Sequence, residues 1–299
     1  MKVSFVWWNT SLSHRGKSLV SGPHKEYVVQ KINFLIREGV QFIALGEVSN
    51  HDIEMIKEEC DLHTYKVING CRPAGKSAFD SCLIYDSRIF AAVGQGEPIV
   101  SERGERVLKV AQKFIFRFSE EAIPIHVFVS HWPSRLSYGS NDPARARLGL
   151  RLRNSVDDVF SRFGNDALVV LLGDYNDEPF DVSIAENLWS TRDRELVRKK
   201  KRLLYNPFWR SLGHITAVNV LDRSGLLDGG TYFYSNDESS RWRTFDQILF
   251  SSTFLEGTGW YLNESLTRPL DIDAYSERVI DRDEKFDHLP VIAVIERSL

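Results

Sequence analysis

The sequence predicts an α/β fold in which two sheets are covered by outer helices. Three observations carry this. Short apolar segments alternate with helical patterns in the first half of the chain, and strand patterns dominate after Gly229. The 299 residues are 42% hydrophobic, enough for a sizeable core. No Pro/Gly/Ser-rich linker and no internal repeat interrupts the chain, so a single domain over residues 1–299 is expected.

The elements follow in order. KVSFVWW is a strand that runs into Asn9. In HKEYVVQKINFLIREG, Val28, Val29, Ile32, Leu35 and Ile36 recur at helical spacing, and Gly39 stands at the stop. QFIALG is a strand ending at Glu47, followed by a weaker helical pattern, SNHDIEMIKEEC. IHVFVS leads into His131. Asp142 and Pro143 occupy the N-cap and first helical positions of a helix striped by Leu148, Leu152, Val156 and Val159. ALVVLLG ends at Asp174, and RWRTFDQILF reads as a strand with Asp246 inside it.

The formal net charge of −3 and a pI near 6.3 argue against a chain held to nucleic acid by bulk positive charge, although local charge can still serve. Cys60, Cys71 and Cys82 form neither a disulfide framework nor a CxxC metal site, which predicts a reduced, cytoplasmic setting. The N-terminal apolar run is too short for a signal peptide, and no stretch approaches the roughly 18 apolar residues of a membrane span. A soluble monomer without an obligate protein partner is expected.

Polar residues at successive strand ends raise the question of chemistry, because carboxylates and amides are costly to bury without partners. Glu47, Asp174, Asn176 and Asp287 are hard oxygen ligands of the type Mg²⁺ or Mn²⁺ prefers. His131 and His288 accompany them, and Asp246 is suited to fix one imidazole in a single tautomer. Carboxylates with histidines, and no GxSxG-type nucleophile, point to metal-assisted attack of water on a phosphoester. Taken singly, Asp174 and Asn176 could close a turn, Asp287 could make an Asx-type turn before Pro290, and His131 could be a satisfied histidine at a strand end. The remaining histidines, His14, His24, His51, His63, His126 and His214, read as surface or packing residues, and Phe5 and Trp7 as packing between the sheets.

WWN at 7–9, LGEV at 45–48, SHWPS at 130–134, GDYND at 173–177, FDQILFS at 245–251 and FDHLPV at 286–291 occur in an order spanning almost the whole chain. The series resembles the motifs of the endonuclease/exonuclease/phosphatase superfamily, which includes DNase I and exonuclease III. The resemblance implies a DNase I-like four-layer α/β sandwich: two packed, mainly antiparallel sheets flanked by helices, with a divalent metal at one end. It makes Glu47 the principal ligand of Mg²⁺ or Mn²⁺, supported by Asn9 and Asp287. It also implies that Asp174 activates or orients water and that Asn176 holds a phosphate oxygen. His288 with Asp246 would stabilise transition-state charge, and His131 would flank the scissile phosphate. One departure is visible in KSAFDSCLIYD, where several nucleases place a phosphate-binding tyrosine but the nearest aromatic here is Phe79; Arg135 or Arg145 could supply that contact.

A basic and aromatic insertion lies at about 190–213. Arg192 to Arg202 holds seven basic residues against two acidic ones, followed by Tyr205, Phe208 and Trp209. It reads either as a solvated helix face with an aromatic anchor or as a clamp in which Arg198, Lys199, Lys200, Lys201 and Arg202 hold nucleic-acid phosphates near the active rim. The leading functional expectation is a nuclease acting on DNA or RNA. The alternatives are a hydrolase of a small phosphorylated molecule or lipid head group, and a non-catalytic scaffold.

Overall fold

Alternation within β1 (Lys2–Asn9) sets the layering of the molecule. Phe5 and Trp7 point into the core between two sheets, whereas Val6 and Trp8 point outward onto helices, because successive strand side chains face opposite ways. The computed structural model describes residues 1–13, 21–103, 106–119, 123–213, 229–257 and 259–297. His14 and His214 lie outside them.

From β1 the chain enters α1 (Gly22–Arg37), β2 (Phe42–Gly46) and α2 (Asn50–Glu59), whose start is fixed by a capping box of Ser49 and Asp52. β3 (Tyr65–Asn69), a small hairpin of β4 (Arg72–Ala74) and β5 (Ser77–Phe79), and β6 (Cys82–Asp86) follow. A long hairpin, β7 (Phe90–Arg103) and β8 (Arg106–Phe118), precedes β9 (Pro124–His131), α3 (Pro143–Phe163) and β10 (Leu168–Asp174). The last part comprises β11 (Ser190–Thr191), α4 (Arg194–Lys199), β12 (Leu204–Tyr205), β13 (Tyr232–Phe233), β14 (Trp242–Arg243), β15 (Asp246–Phe250), β16 (Trp260–Pro269), α5 (Tyr275–Ile280) and β17 (Val291–Arg297).

One sheet has the order β16-β17-β1-β2-β6-β3 and the other β11-β12-β15-β10-β9-β8-β7. Most pairings are antiparallel; β1/β2, β9/β10 and β11/β12 are parallel. Phe5, Trp7, Phe42, Phe116, Val127, Leu172, Ile248 and Ile295 fill the space between the sheets. Helices α1, α2 and α5 cover the outer face of the first sheet, and α3 covers the second through Leu148, Leu152, Val156 and Val159. The result is the expected four-layer α/β sandwich. Among the described residues, no helix is long and apolar enough to cross a membrane.

Register brings the polar tips to one rim. Asn9 pairs with Gly46 across β1/β2, and Asp174 pairs with both His131 and Asp246. Trp7 pairs with Val291, which places the Asp287–His288 approach to β17 at the same end. The expected strand RWRTFDQILF is broken in two: the Thr231 hydroxyl accepts the amides of Phe245 (3.1 Å) and Asp246 (2.9 Å), so that Asp246 opens β15 instead of lying within it. Gly173 is a steric requirement, since a Cβ there would lie 2.0 Å from the Ser130 carbonyl oxygen.

Candidate active site

Three site residues sit on left-handed backbone: Ser11 (φ 53°), Glu47 (φ 55°) and Asn176 (φ 50°). Non-glycine residues adopt this region only where the surroundings hold them there, which is common at functional sites. Each follows the end of a rim strand, where the chain turns sharply.

Asp174 is the hub, and it is almost wholly buried. Its Oδ1 accepts the Asn176 amide (2.8 Å), and its Oδ2 accepts the Asn176 side-chain amide (3.0 Å) and, across the sheets, Asn9 Nδ2 (3.5 Å). Two imidazoles face the same oxygen, His288 Nε2 at 3.7 Å and His131 Nε2 at 3.8 Å. Both separations exceed a hydrogen bond. Behind each ring stands a carboxylate: His288 Nδ1 donates to Asp246 Oδ2 at 2.7 Å, and His131 Nδ1 donates to Asp80 Oδ2 at 2.9 Å. Trp7 Nε1 donates to the other oxygen of Asp246 at 2.7 Å, tying β1 of one sheet to β15 of the other. Lys109 Nζ donates to Asp80 Oδ1 at 2.8 Å. Glu47 Oε1 lies 3.9 Å from His131 Nε2, and the Ser11 hydroxyl donates to Asp287 Oδ1 at 3.0 Å.

Electrostatics follow from this packing. Burial alone would lower the pKa of His288, but Asp246, Asp174 and Asp287 raise it well above its ordinary value. His131 is raised in the same way, chiefly by Asp80 against the cost of burial. Asp80 is held far below the usual carboxylate range, because the charges of His131 and Lys109 outweigh its burial. Asp174 moves the other way, up to about 6: burial dominates, and the neighbouring Asp246 charge adds to it despite His288. Burial likewise raises Asp287. The site thus combines two imidazoles whose protonated form the neighbouring carboxylates favour with a carboxylate of raised basicity.

The donor set fits a divalent cation. Five carboxylates, Glu47, Asp80, Asp174, Asp246 and Asp287, face three basic groups, Lys109, His131 and His288, in a largely buried space. Ligand atoms of Asp174, Asp246 and His288 come within 4.8 Å of one another. Both Asp246 oxygens are already engaged by Trp7 and His288, however. Glu47 and Asp287 add further hard oxygens at the same rim, with Asn9 nearby.

The structure shows where several of the expected residues sit. Asn176 does not present its amide to open space; the two donors of its side chain go to Asp174 and to the Trp132 carbonyl (3.0 Å). Arg145 is turned into the interior, where it donates to the carbonyls of Pro133 (2.7 Å), Tyr138 (2.9 Å) and Tyr175 (3.3 Å), beside Asp177. Arg135 donates to the Asn176 carbonyl (2.9 Å), pairs with Asp177 and Asp181, and lies over the Phe245 ring. Both guanidiniums brace the loops around Asn176 because buried carboxylates and carbonyls there demand partners, and neither is directed at the gap.

The basic stretch lies at the opposite rim. Arg198 donates to the Leu255 carbonyl (2.8 and 3.0 Å), Lys201 pairs with Glu256, and Arg202 donates to Asn165 (3.1 Å). Those partners flank Ser251, whose amide bonds to Val169 near the start of β10, about five strand steps or roughly 17 Å from Asp174. Lys199 and Lys200 are exposed at that same end. Val197, Tyr205 and Phe208 enter the inter-sheet core, so the stretch is a solvated face with an aromatic anchor. Arg198, Lys199, Lys200, Lys201 and Arg202, expected as a clamp, thus sit at the rim away from Asp174.

Sequence reasoning missed Asp80, Lys109 and the indole N–H of Trp7. Asp80 stands one residue beyond Phe79, on which attention fell, and no local pattern links it to His131.

The profile described as "Endonuclease/Exonuclease/phosphatase family" matches residues 25–265. No curated protein matches the sequence. Among solved structures, the chain is similar to the human Nocturnin catalytic domain with bound sulfate (TM-score 0.61, 13% identity, covering 99% of this chain and 95% of that one). It is also similar to a mannosyl-6-phosphatase from Bacteroides thetaiotaomicron (0.62, 14%, 98% and 99%). A third is D. rerio TDP2 complexed with single strand DNA product (0.57, 16%, 99% and 99%). At these identities the similarity establishes the shared fold.

Proposed function

Because the chain belongs to the endonuclease/exonuclease/phosphatase family, whose members are phosphoester hydrolases, we propose that it hydrolyses a phosphodiester of nucleic acid by in-line attack of water, with Mg²⁺ or Mn²⁺ bound. The observation that carries this reading is the arrangement around Asp174 Oδ2, where two imidazole Nε2 atoms converge, each backed by its own carboxylate.

Asp174 accepts the proton of the attacking water, and Asn176 fixes the orientation of that carboxylate. The protonated Nε2 atoms of His131 and His288 donate to phosphoryl oxygens, where negative charge accumulates as the P–O bond to the leaving group breaks. Asp80 and Asp246 keep both rings cationic and correctly turned. Glu47, with Asn9 and Asp287, is the set that would hold the cation. Bound there, the ion supplies Lewis-acid polarisation of a phosphoryl oxygen.

A second reading has one observation in its favour. The arginines and lysines expected to grip a polyanion are engaged with the protein itself or lie at the far rim, which suits a small phosphorylated molecule or lipid head group.

The test is turnover of a panel of plasmid DNA, single-stranded DNA, RNA, inositol and sugar phosphates, and a chromogenic phosphodiester, with Mg²⁺ or Mn²⁺ and with excess EDTA. Metal-dependent hydrolysis of the nucleic acids is expected, with Glu47→Gln losing at least about 100-fold in kcat while remaining folded. Turnover undiminished by EDTA, or by Glu47→Gln, overturns the metal-assisted mechanism. Hydrolysis confined to the small esters moves the assignment to the second reading.

A further inference from the structure

We propose, on the basis of the hydrolytic reading above, that Tyr232 is a further catalytic residue, whose phenol donates a hydrogen bond to a non-bridging oxygen of the phosphoryl group.

The backbone fixes its place. The Leu289 amide donates to the Thr231 carbonyl (2.6 Å) and the Phe233 amide to the Asp287 carbonyl (2.9 Å), forming an antiparallel bridge that sets Tyr232 opposite His288. Opposed residues of such a bridge project to the same side. The ring accordingly lies against the His288 imidazole, centroids 4.7 Å apart, and stacks on Phe245 at 5.1 Å with an interplanar angle of 19°. Held on two sides by rings, the phenol has little freedom to swing away.

The hydroxyl is within electrostatic reach of Asp287, Asp174 and Glu47, the carboxylates that surround the gap. Among the described residues it makes no hydrogen bond, and a half-buried O–H of this kind calls for an acceptor. The neighbouring guanidinium and amide donors are otherwise committed. Arg145 and Arg135 brace the loops behind Asn176, and Asn176 itself holds Asp174. A phosphoryl oxygen entering beside His288 would meet the phenol as an unengaged neutral donor, which adds a hydrogen bond without adding charge.

The experiment compares the full-length wild type with Tyr232→Phe and Tyr232→Leu. It measures kcat and KM on the best substrate of the panel, calorimetric affinity for inorganic phosphate in the presence of Mn²⁺, and Tm. Tyr232→Phe keeps both ring contacts and removes only the hydroxyl. It should leave Tm unchanged, lower kcat on the order of 10- to 100-fold with little effect on KM, and weaken phosphate binding about tenfold. Tyr232→Leu should lose turnover to a similar or greater extent and also lose Tm. If wild type is active and Tyr232→Phe matches it in kcat and phosphate affinity, the ring serves packing alone and the assignment falls while the hydrolytic reading stands. A wild type that turns over none of the phosphoesters overturns that reading and the role of Tyr232 with it.

Discussion

Asp246 illustrates how completely a single carboxylate can be constrained. One oxygen accepts the Trp7 indole N–H and the other accepts His288 Nδ1, both at 2.7 Å. Removing the carboxylate leaves a buried imidazole without the charge that keeps it protonated, and removing the imidazole leaves a buried carboxylate with little to do. Asp246→Asn and His288→Ala should therefore each lower kcat by about 100- to 1,000-fold, and the double variant should be scarcely worse than His288→Ala. Additive logarithmic losses in kcat would mean that the two groups act independently. The pairing of Asp246 with His288 was legible from ordered motifs. The companion pairing of His131 with Asp80, and the Lys109 that supports it, was not, because Asp80 lies in the β5–β6 link, Lys109 on β8 and His131 at the end of β9, and no spacing rule joins them.

Among the elements, helices and short central strands were readable where periodicity was unbroken. α3 begins at Asp142, the cap the sequence offers, while α1 and α2 begin at Ser21 and Ser49, caps that the structure adds. The β7–β8 hairpin escaped because irregularities between Val93 and Glu97 and between Ile99 and Val100 break the two-residue alternation, with Gly94 and Gly96 inside the strand. Lys109 enters the site from that hairpin. β9 carries a different consequence at His126, which is wholly buried, packs against Phe163, and has no hydrogen-bond partner for either ring nitrogen among the described residues. Burial, helped by the charge of Lys113, lowers its pKa to about 4. The folded state thus resists protonation that the unfolded chain accepts near pH 6.5. The stabilisation is complete above about pH 6.5 and is lost progressively as pH falls through 4. Thermal melts from pH 7 to pH 4 should show wild type losing on the order of 2–5 °C more than His126→Phe. Parallel curves for the two proteins would remove His126 from the acid response.

For the molecule as a whole, the two rims of the sandwich have separate duties. One rim gathers the carboxylates and imidazoles, while the other docks the basic stretch through Arg198 to Leu255 and Lys201 to Glu256. Lys199→Gln combined with Lys200→Gln should leave oligonucleotide hydrolysis within about twofold of wild type at low and high salt, because charges roughly 17 Å from Asp174 and at the far rim make no phosphate contact there. A salt slope reduced by about one for each neutralised lysine would instead place substrate along that surface.

The sequence by itself determined the α/β class, the strand ends at which Asn9, Glu47, His131 and Asp174 emerge, the Asp142 cap of α3 and the family. Each depends on side-chain periodicity, turn chemistry or ordered motifs along the chain. Tertiary structure alone decided which groups meet. It set Asp80 behind His131, laid Tyr232 against His288, turned Arg135 and Arg145 away from the gap, and carried the basic stretch to the far rim. The contact between Trp7 and Asp246 spans 239 residues of sequence. Partners of this kind are fixed by strand register and by the packing of one sheet on another, and neither quantity is present in any local segment of the chain.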